Sequence, residues 1–103
     1  MNLLEAVTAA IEEFNKLHGS EATARLVRIE GERFTVEFRG SFCVTCGFYD
    51  YFEDLTYILA EKGFRAGIVS VEEVEDGGIV EYRLLKPGES WRFVPEKQIL
   101  ILE

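Results

Sequence analysis

The spacing of apolar residues changes along this chain, and that change most constrains its fold. Over residues 2–18 apolar side chains recur every three or four positions, which predicts an amphipathic helix. From Arg33 to Arg39 apolar and charged residues alternate strictly, which predicts a strand with one buried face. A chain that combines both periods packs helices against a sheet, and the predicted fold class is therefore α+β. The apolar stripe of the helix consists of Leu3, Leu4, Val7, Ile11, Phe14 and Leu17.

Both ends of the first helix carry sequence signals. Asn2 followed by Glu5 matches a capping box and predicts the start, and Gly19 is expected to end the helix in a left-handed conformation. The polar positions between the apolar ones predict an exposed face. That face contains Glu5, Thr8, Glu12, Asn15 and Lys16.

Two further segments complete the first half of the chain. Residues 24–30 are the predicted partner of the alternating strand, because a short turn through Gly31 favours an antiparallel hairpin. A second helix is predicted from Phe48 until Gly63. Its apolar stripe consists of Phe48, Phe52, Leu55, Ile58 and Leu59.

The rest of the chain predicts further strands. Residues 68–74 and 79–85 flank the turn 75–78, whose sequence Glu-Asp-Gly-Gly is expected to supply the positive φ of a tight hairpin. The segments 91–94 and 99–102 are predicted to add short edge strands.

The predicted order of elements is α-β-β-α-β-β with one or two terminal strands. Because the turns are too short for parallel crossovers, we expect a two-layer, mainly antiparallel sheet with two helices on one face. The chain has 103 residues, and we expect residues 1–103 to form a single domain.

The charge of the chain excludes some classes of partner. Nineteen acidic and eleven basic residues give a net charge of -8, which disfavours binding to nucleic acid or to an anionic membrane surface. No apolar run approaches the roughly 18 residues that span a bilayer, so we expect a cytoplasmic protein. Abundant Glu and only three side-chain amides are typical of hyperthermophiles, in whose cytosol disulfides do occur.

A Cys-x-x-Cys motif, Cys43 and Cys46, lies between the second predicted strand and the second predicted helix. Two intervening residues let both sulfurs face the same side of a turn, which suits a reversible disulfide or two ligands of one metal. Cys46 precedes the N-terminus of a helix, where unpaired N–H groups favour a thiolate. The acidic residues of that helix, beginning with Asp50, oppose this effect.

The number of donors restricts any metal site. A closed zinc or iron–sulfur site takes about four ligands, whereas the chain has two cysteines and one histidine, His18. We expect His18 to be a helix-end residue, because an imidazolium suits the C-terminal dipole. A symmetric homodimer that joins two motifs at its axis would supply four thiolates for one zinc ion or one [4Fe-4S] cluster.

The order of helix, hairpin, glycine, Cys-x-x-Cys, helix and strand resembles the C-terminal iron–sulfur scaffold domain of NifU. The matching stretch is 34–40, then Cys43 and Cys46, then the helix from about Phe48. The chain departs from that family by one extra residue before Cys43 and by Gly47 in place of a usual proline. The resemblance implies a non-enzymatic module in which Cys43 and Cys46 of two protomers hold a cluster for delivery to apo-proteins.

Aromatic residues concentrate around the cysteines: five lie within residues 42–52. An exposed aromatic patch beside such a motif would suit a binding surface for a partner or a second copy. The alternative is that all five residues belong to the core. The residues predicted for the surface are Phe42, Phe48, Tyr49 and Tyr51.

The same residues are compatible with other functions. The chain could be an acidic protein-interaction domain of unknown partner whose cysteines are structural, either as a local disulfide or as small buried side chains. It could also be a dithiol–disulfide redox protein. No serine or cysteine has an evident triad partner and no glycine pattern matches a phosphate loop, so enzymatic activity is not expected.

Overall fold

A computed structural model describes two helices and six strands of this protein. The described residues are 1–19, 21–40, 48–89, 91–94 and 99–102, and side chains are described within 1–19, 21–40 and 50–89. The α+β prediction and the predicted order of elements are confirmed. The elements are α1 (Leu3–His18), β1 (Ala22–Glu30), β2 (Arg33–Gly40), α2 (Phe48–Glu61), β3 (Ala66–Val74), β4 (Gly77–Leu84), β5 (Trp91–Val94) and β6 (Ile99–Leu102).

The predicted capping box forms at the start of α1. The N–H of Glu5 donates to Asn2 Oδ1 at 2.8 Å, and the N–H of Asn2 donates to Glu5 Oε1 at 3.0 Å. These two bonds satisfy donors that a helix N-terminus leaves without an intrahelical partner. A local sequence signal is therefore sufficient to fix this end.

The predicted left-handed stop at Gly19 is wrong. Gly19 has φ -58 and ψ -23, a right-handed conformation, and the N–H of Glu21 closes the turn by donating to the carbonyl of His18 at 2.8 Å. Glycine is needed here for space, because a Cβ at this position would collide with the carbonyl oxygen of Asn15.

The buried face of α1 differs from its apolar stripe. Ala6 and Ala10 are fully buried in the core, as are Val7 and Phe14, and Ile11 is largely buried there. Leu4 and Leu17, which the period places in the stripe, are 50% and 67% exposed. Small residues therefore occupy part of the contact face, and two leucines at the margins of the stripe lie outside it.

The main sheet has the strand order β1-β2-β4-β3, and all its neighbouring strands are antiparallel. Phe38 of β2 contacts Phe14 of α1 and Phe52 of α2, with ring centroids 5.4 and 4.9 Å apart. The neighbouring β4 residue Tyr82 donates its hydroxyl hydrogen to the carbonyl of Phe52 at 2.9 Å. Because one face of the sheet contacts both helices, the predicted two-layer arrangement is confirmed.

The predicted segment 75–78 does supply the positive φ of the turn between β3 and β4, through Asp76 at 67°. Gly77 belongs to β4 and lies so close to β2 that a Cβ would collide with the carbonyl oxygen of Phe38. The terminal strands β5 and β6 differ from the prediction. They pair with each other in a separate two-stranded sheet that contacts β3, so they do not extend the edges of the main sheet.

Asn15 covers part of the exposed edge of the sheet, although the helical pattern places it on the solvent face. β1 is an edge strand, and the N–H of Ala24 donates to Asn15 Oδ1 at 2.7 Å. The side-chain amide of Asn15 donates in turn to the carbonyl of Ala24 at 3.0 Å. The amide thus takes the place that a neighbouring strand would occupy and blocks further pairing at this point.

We expect Asn15→Ala to lower the free energy of unfolding by about 1–3 kcal/mol, because two partly buried backbone groups lose their partner. Urea denaturation followed by circular dichroism measures the change. Lys16→Ala, on the exposed face of the same turn, is the control and should change stability by less than about 0.5 kcal/mol. Equal stability of the two variants would show that the amide does not support β1.

An ion pair fixes the turn that follows β4. Arg83 makes two hydrogen bonds with the carboxylate of Glu89, at 3.1 and 2.7 Å. The backbone N–H of Lys86 donates to the same carboxylate at 2.8 Å, and Arg65 donates to the carbonyl of Glu89 at 2.6 Å. The Arg83 guanidinium and the Lys86 N–H lower the pKa of Glu89 from 4.5 to about 2.

The lowered pKa of Glu89 predicts that its ion pair contributes to stability in a pH-dependent way. Since the folded pKa of Glu89 lies below the unfolded value of 4.5, its stabilisation is present above pH 4.5 and is lost as the pH falls toward 2. Wild type should therefore exceed Glu89→Gln in stability at pH 6, and the difference should shrink steadily on acidification. Urea melts from pH 6 to 2 test this. Glu12→Gln, at an exposed helical position, should show no such trend.

Candidate functional site

The predicted site residues lie mostly in one segment of the chain. Residues 41–47 between β2 and α2 are outside the described residues, and Phe42, Cys43 and Cys46 belong to them. Phe48 and Tyr49 are the first two residues of α2, and only their backbone is described. Tyr51 is the one predicted site residue whose side chain the structure describes.

The first end of this segment is anchored at the start of β1. Gly40 ends β2 and is the register partner of Ala22. The N–H of Gly40 also donates to the carbonyl of Asp76 at 2.9 Å, so the turn between β3 and β4 supports the same point. The chain therefore enters the cysteine segment from a position held by two other parts of the sheet.

The second end is anchored close to the first. Tyr51, in the first turn of α2, donates its hydroxyl hydrogen to Glu21 Oε1 at 2.9 Å. Glu21 directly precedes Ala22, the partner of Gly40. Residues 21 and 22 thus hold both the strand that leads into the cysteine segment and the helix that follows it.

His18 adds a second link between the two helices. Its Nε2 lies 3.1 Å from Asp54 Oδ2, and its ring lies edge-on to Tyr51 with centroids 5.1 Å apart. Its other ring neighbour is Phe14, at 4.8 Å. His18 is the last residue of α1, as expected. We call His18, Glu21, Tyr51 and Asp54 together the α1–α2 corner.

The partners in this corner could not be found from the sequence. Glu21 lies in the turn between α1 and β1, and no local pattern connects it to Tyr51, thirty residues later. Asp54 belongs to the polar face predicted for α2, but its contact with His18 depends on how the helices cross. The sequence signals were limited to a histidine at a helix end and an acidic helix face.

Two side chains of the aromatic cluster are described. Phe52 is fully buried in the core. Tyr51 is half-buried and packs against the core, with its ring 6.2 Å from that of Phe14. Both make defined contacts inside the molecule, and the side chains of Phe42, Phe48 and Tyr49 lie outside the described part.

The electrostatics of the corner are acidic. Burial, followed by the charges of Asp50 and Asp54, raises the pKa of Glu53. The hydrogen bond to Glu21, burial, and the charges of Glu21 and Asp54 raise the pKa of Tyr51. These carboxylates disfavour a free thiolate at the start of α2, and they favour a cation held there.

Within the described residues, no group of three or more His, Cys, Asp or Glu side chains is arranged to hold a metal ion. His18, the one histidine of the chain, is engaged by Asp54. In the same part of the chain, no helix is long and apolar enough to cross a membrane.

Comparisons with family models, with curated proteins and with solved structures gave no match. The resemblance to the NifU domain therefore rests on the order of elements and on the cysteine spacing.

We expect Glu21→Gln to lower the pKa of Tyr51 toward its usual value near 10, because the hydrogen-bonded carboxylate loses its charge. NMR titration of ring-labelled tyrosine, assigned with Tyr51→Phe, measures this pKa. Since the folded pKa lies above the unfolded value, the contact stabilises the protein below pH 10 and is lost at higher pH. Glu12→Gln is the control, and an unchanged pKa in Glu21→Gln would contradict the assignment.

Proposed function

We propose that this chain is a small non-enzymatic module that binds a metal ion or an iron–sulfur cluster through Cys43 and Cys46 across a homodimer. The observation that carries the proposal is the donor count. The chain has two cysteines and one histidine, and Asp54 engages that histidine, His18. One chain supplies two thiolates, and two chains supply the four that a closed site takes.

The anchoring of the cysteine segment supports this function. A metal site needs ligands that start from fixed positions, since loosely held donors lose affinity. Gly40 and Tyr51, on the two sides of the segment, are both tied to residues 21 and 22. This arrangement limits how far the ends of the segment can separate.

The charge near the start of α2 also supports a cationic ligand. Burial raises the pKa of Glu53, and the negative charges of Asp50 and Asp54 raise it further. The same field lowers the free energy of a nearby cation and adds to what two thiolates contribute. A cluster held in this way would be cargo for an apo-protein, whereas a zinc ion would join the two protomers.

Anaerobic purification tests the proposal directly. We expect wild-type protein to hold either one zinc ion or one four-iron cluster per two chains, which metal analysis and visible absorption measure. Cys43→Ser and Cys46→Ser should each lose the metal. Thr45→Ser is the matched control, because it alters the same segment and keeps both thiols, and it should retain the metal.

Protein that is colourless and metal-free after anaerobic purification, and that takes up neither zinc nor a reconstituted cluster, would contradict the proposal. Thiol titration of that protein then distinguishes the remaining functions. Reversible cycling between dithiol and disulfide would favour redox chemistry. Thiols that resist both oxidation and alkylation in the folded chain would favour a structural role.

A further inference from the structure

Two large apolar side chains lie exposed beside the α1–α2 corner. Leu17 is 67% exposed and directly precedes His18. Tyr57 is 66% exposed and lies three residues, about one turn, after Asp54. Because His18 Nε2 lies 3.1 Å from Asp54 Oδ2, each of the two apolar side chains lies next to a member of one polar contact between the helices.

We propose that this face, formed by Leu17, Tyr57 and the His18–Asp54 pair, is the contact surface for a second copy of the chain. The inference rests on the proposed function, because a metal ion that lies about 2.3 Å from each thiolate requires the two cysteine segments to meet. The two-fold axis must then pass beside those segments. One end of the segment is tied to the corner through the Tyr51–Glu21 bond and the other is paired with Ala22, the residue after Glu21, so the face beside the corner adjoins the axis.

A dimer formed through the edge of β1 would not bring the two cysteine segments together. Asn15 occupies the backbone groups of Ala24, so a second strand would have to add toward Glu30. A two-fold axis near Arg28 would separate the two copies of Ala22 by twelve residues of strand, roughly 40 Å. The cysteine segment begins opposite Ala22, and the three residues from Gly40 to Cys43 reach only about 10 Å.

The other exposed large apolar side chain of α1, that of Leu4, is also too distant. Leu4 is 50% exposed and lies fourteen residues before His18, which is about 21 Å along the helix. A contact centred on Leu4 would hold the cysteine segments apart. Leu4 therefore serves as a control on the same helix.

The charges near the proposed face permit contact between two copies. Lys16 and Asp50 are both exposed and lie close in sequence to His18 and Tyr51. Both signs of charge are therefore present near the corner, so a self-complementary contact there need not bring only carboxylates together.

The test compares Leu17→Lys and Tyr57→Lys with Leu4→Lys and Val27→Lys. All four positions are exposed, so the substitutions should leave the fold intact, which circular dichroism checks. Light scattering over a concentration series measures the oligomeric state of anaerobically purified protein, and metal analysis is run on the same samples. We expect a wild-type dimer that Leu17→Lys and Tyr57→Lys weaken by at least about tenfold in Kd, since a lysine is poorly placed in an apolar contact. Leu4→Lys and Val27→Lys should remain dimeric.

The outcomes separate this inference from the proposed function. A metal-free dimer that Leu17→Lys dissociates would support the face and contradict the metal site. A metal-bound dimer that neither Leu17→Lys nor Tyr57→Lys weakens would leave the metal site in place and overturn the face. Dissociation by Val27→Lys alone would assign the contact to the β1 edge and overturn the inference, as would wild-type protein that is monomeric at every concentration.

Discussion

The contacts of Phe38 hold the two layers of this protein together. Its ring lies on the inner strand β2 and contacts an aromatic ring from each helix, Phe14 and Phe52. A buried aromatic side chain contributes a large apolar area, and tilted or edge-on ring pairs add to that stabilisation. Phe38 stands two residues before Gly40, so the strand that organises the core also leads into the cysteine segment. The α1–α2 corner exists because this core fixes both helices on one face.

The sequence was sufficient for the start of α1, for the buried face of β2 and for the antiparallel hairpins, which are set by neighbours along the chain. The capping box of Asn2 and Glu5 needs only the first turn of α1, and it forms as predicted. The alternation from Arg33 to Arg39 places Phe34, Val36 and Phe38 on one face, because successive side chains of a strand point to opposite sides. Short turns between consecutive strands leave only antiparallel pairing, which settles most of the sheet order.

The sequence was insufficient wherever a side chain acts on a distant element. Asn15 occupies a polar position of the helical pattern, yet it binds the backbone of Ala24 because β1 runs beside α1. The contact of Tyr51 with Glu21 likewise depends on how α2 lies across the turn after α1. No period or propensity encodes such pairs, since they follow from the packing of complete elements. The residues that anchor the candidate site belong to this class.

Leu17 shows how an error of the periodic pattern can be informative. The apolar spacing predicts that Leu17 is buried. In the structure Ala6 and Ala10 are buried in the core and Leu17 is exposed. An exposed leucine forgoes roughly 2 kcal/mol that burial would provide. In the proposed dimer the same side chain is covered where the cysteines must meet. The two-cysteine donor set and the exposed leucine would then have one physical explanation, which is that this chain completes both its metal site and its apolar surface with a second copy of itself.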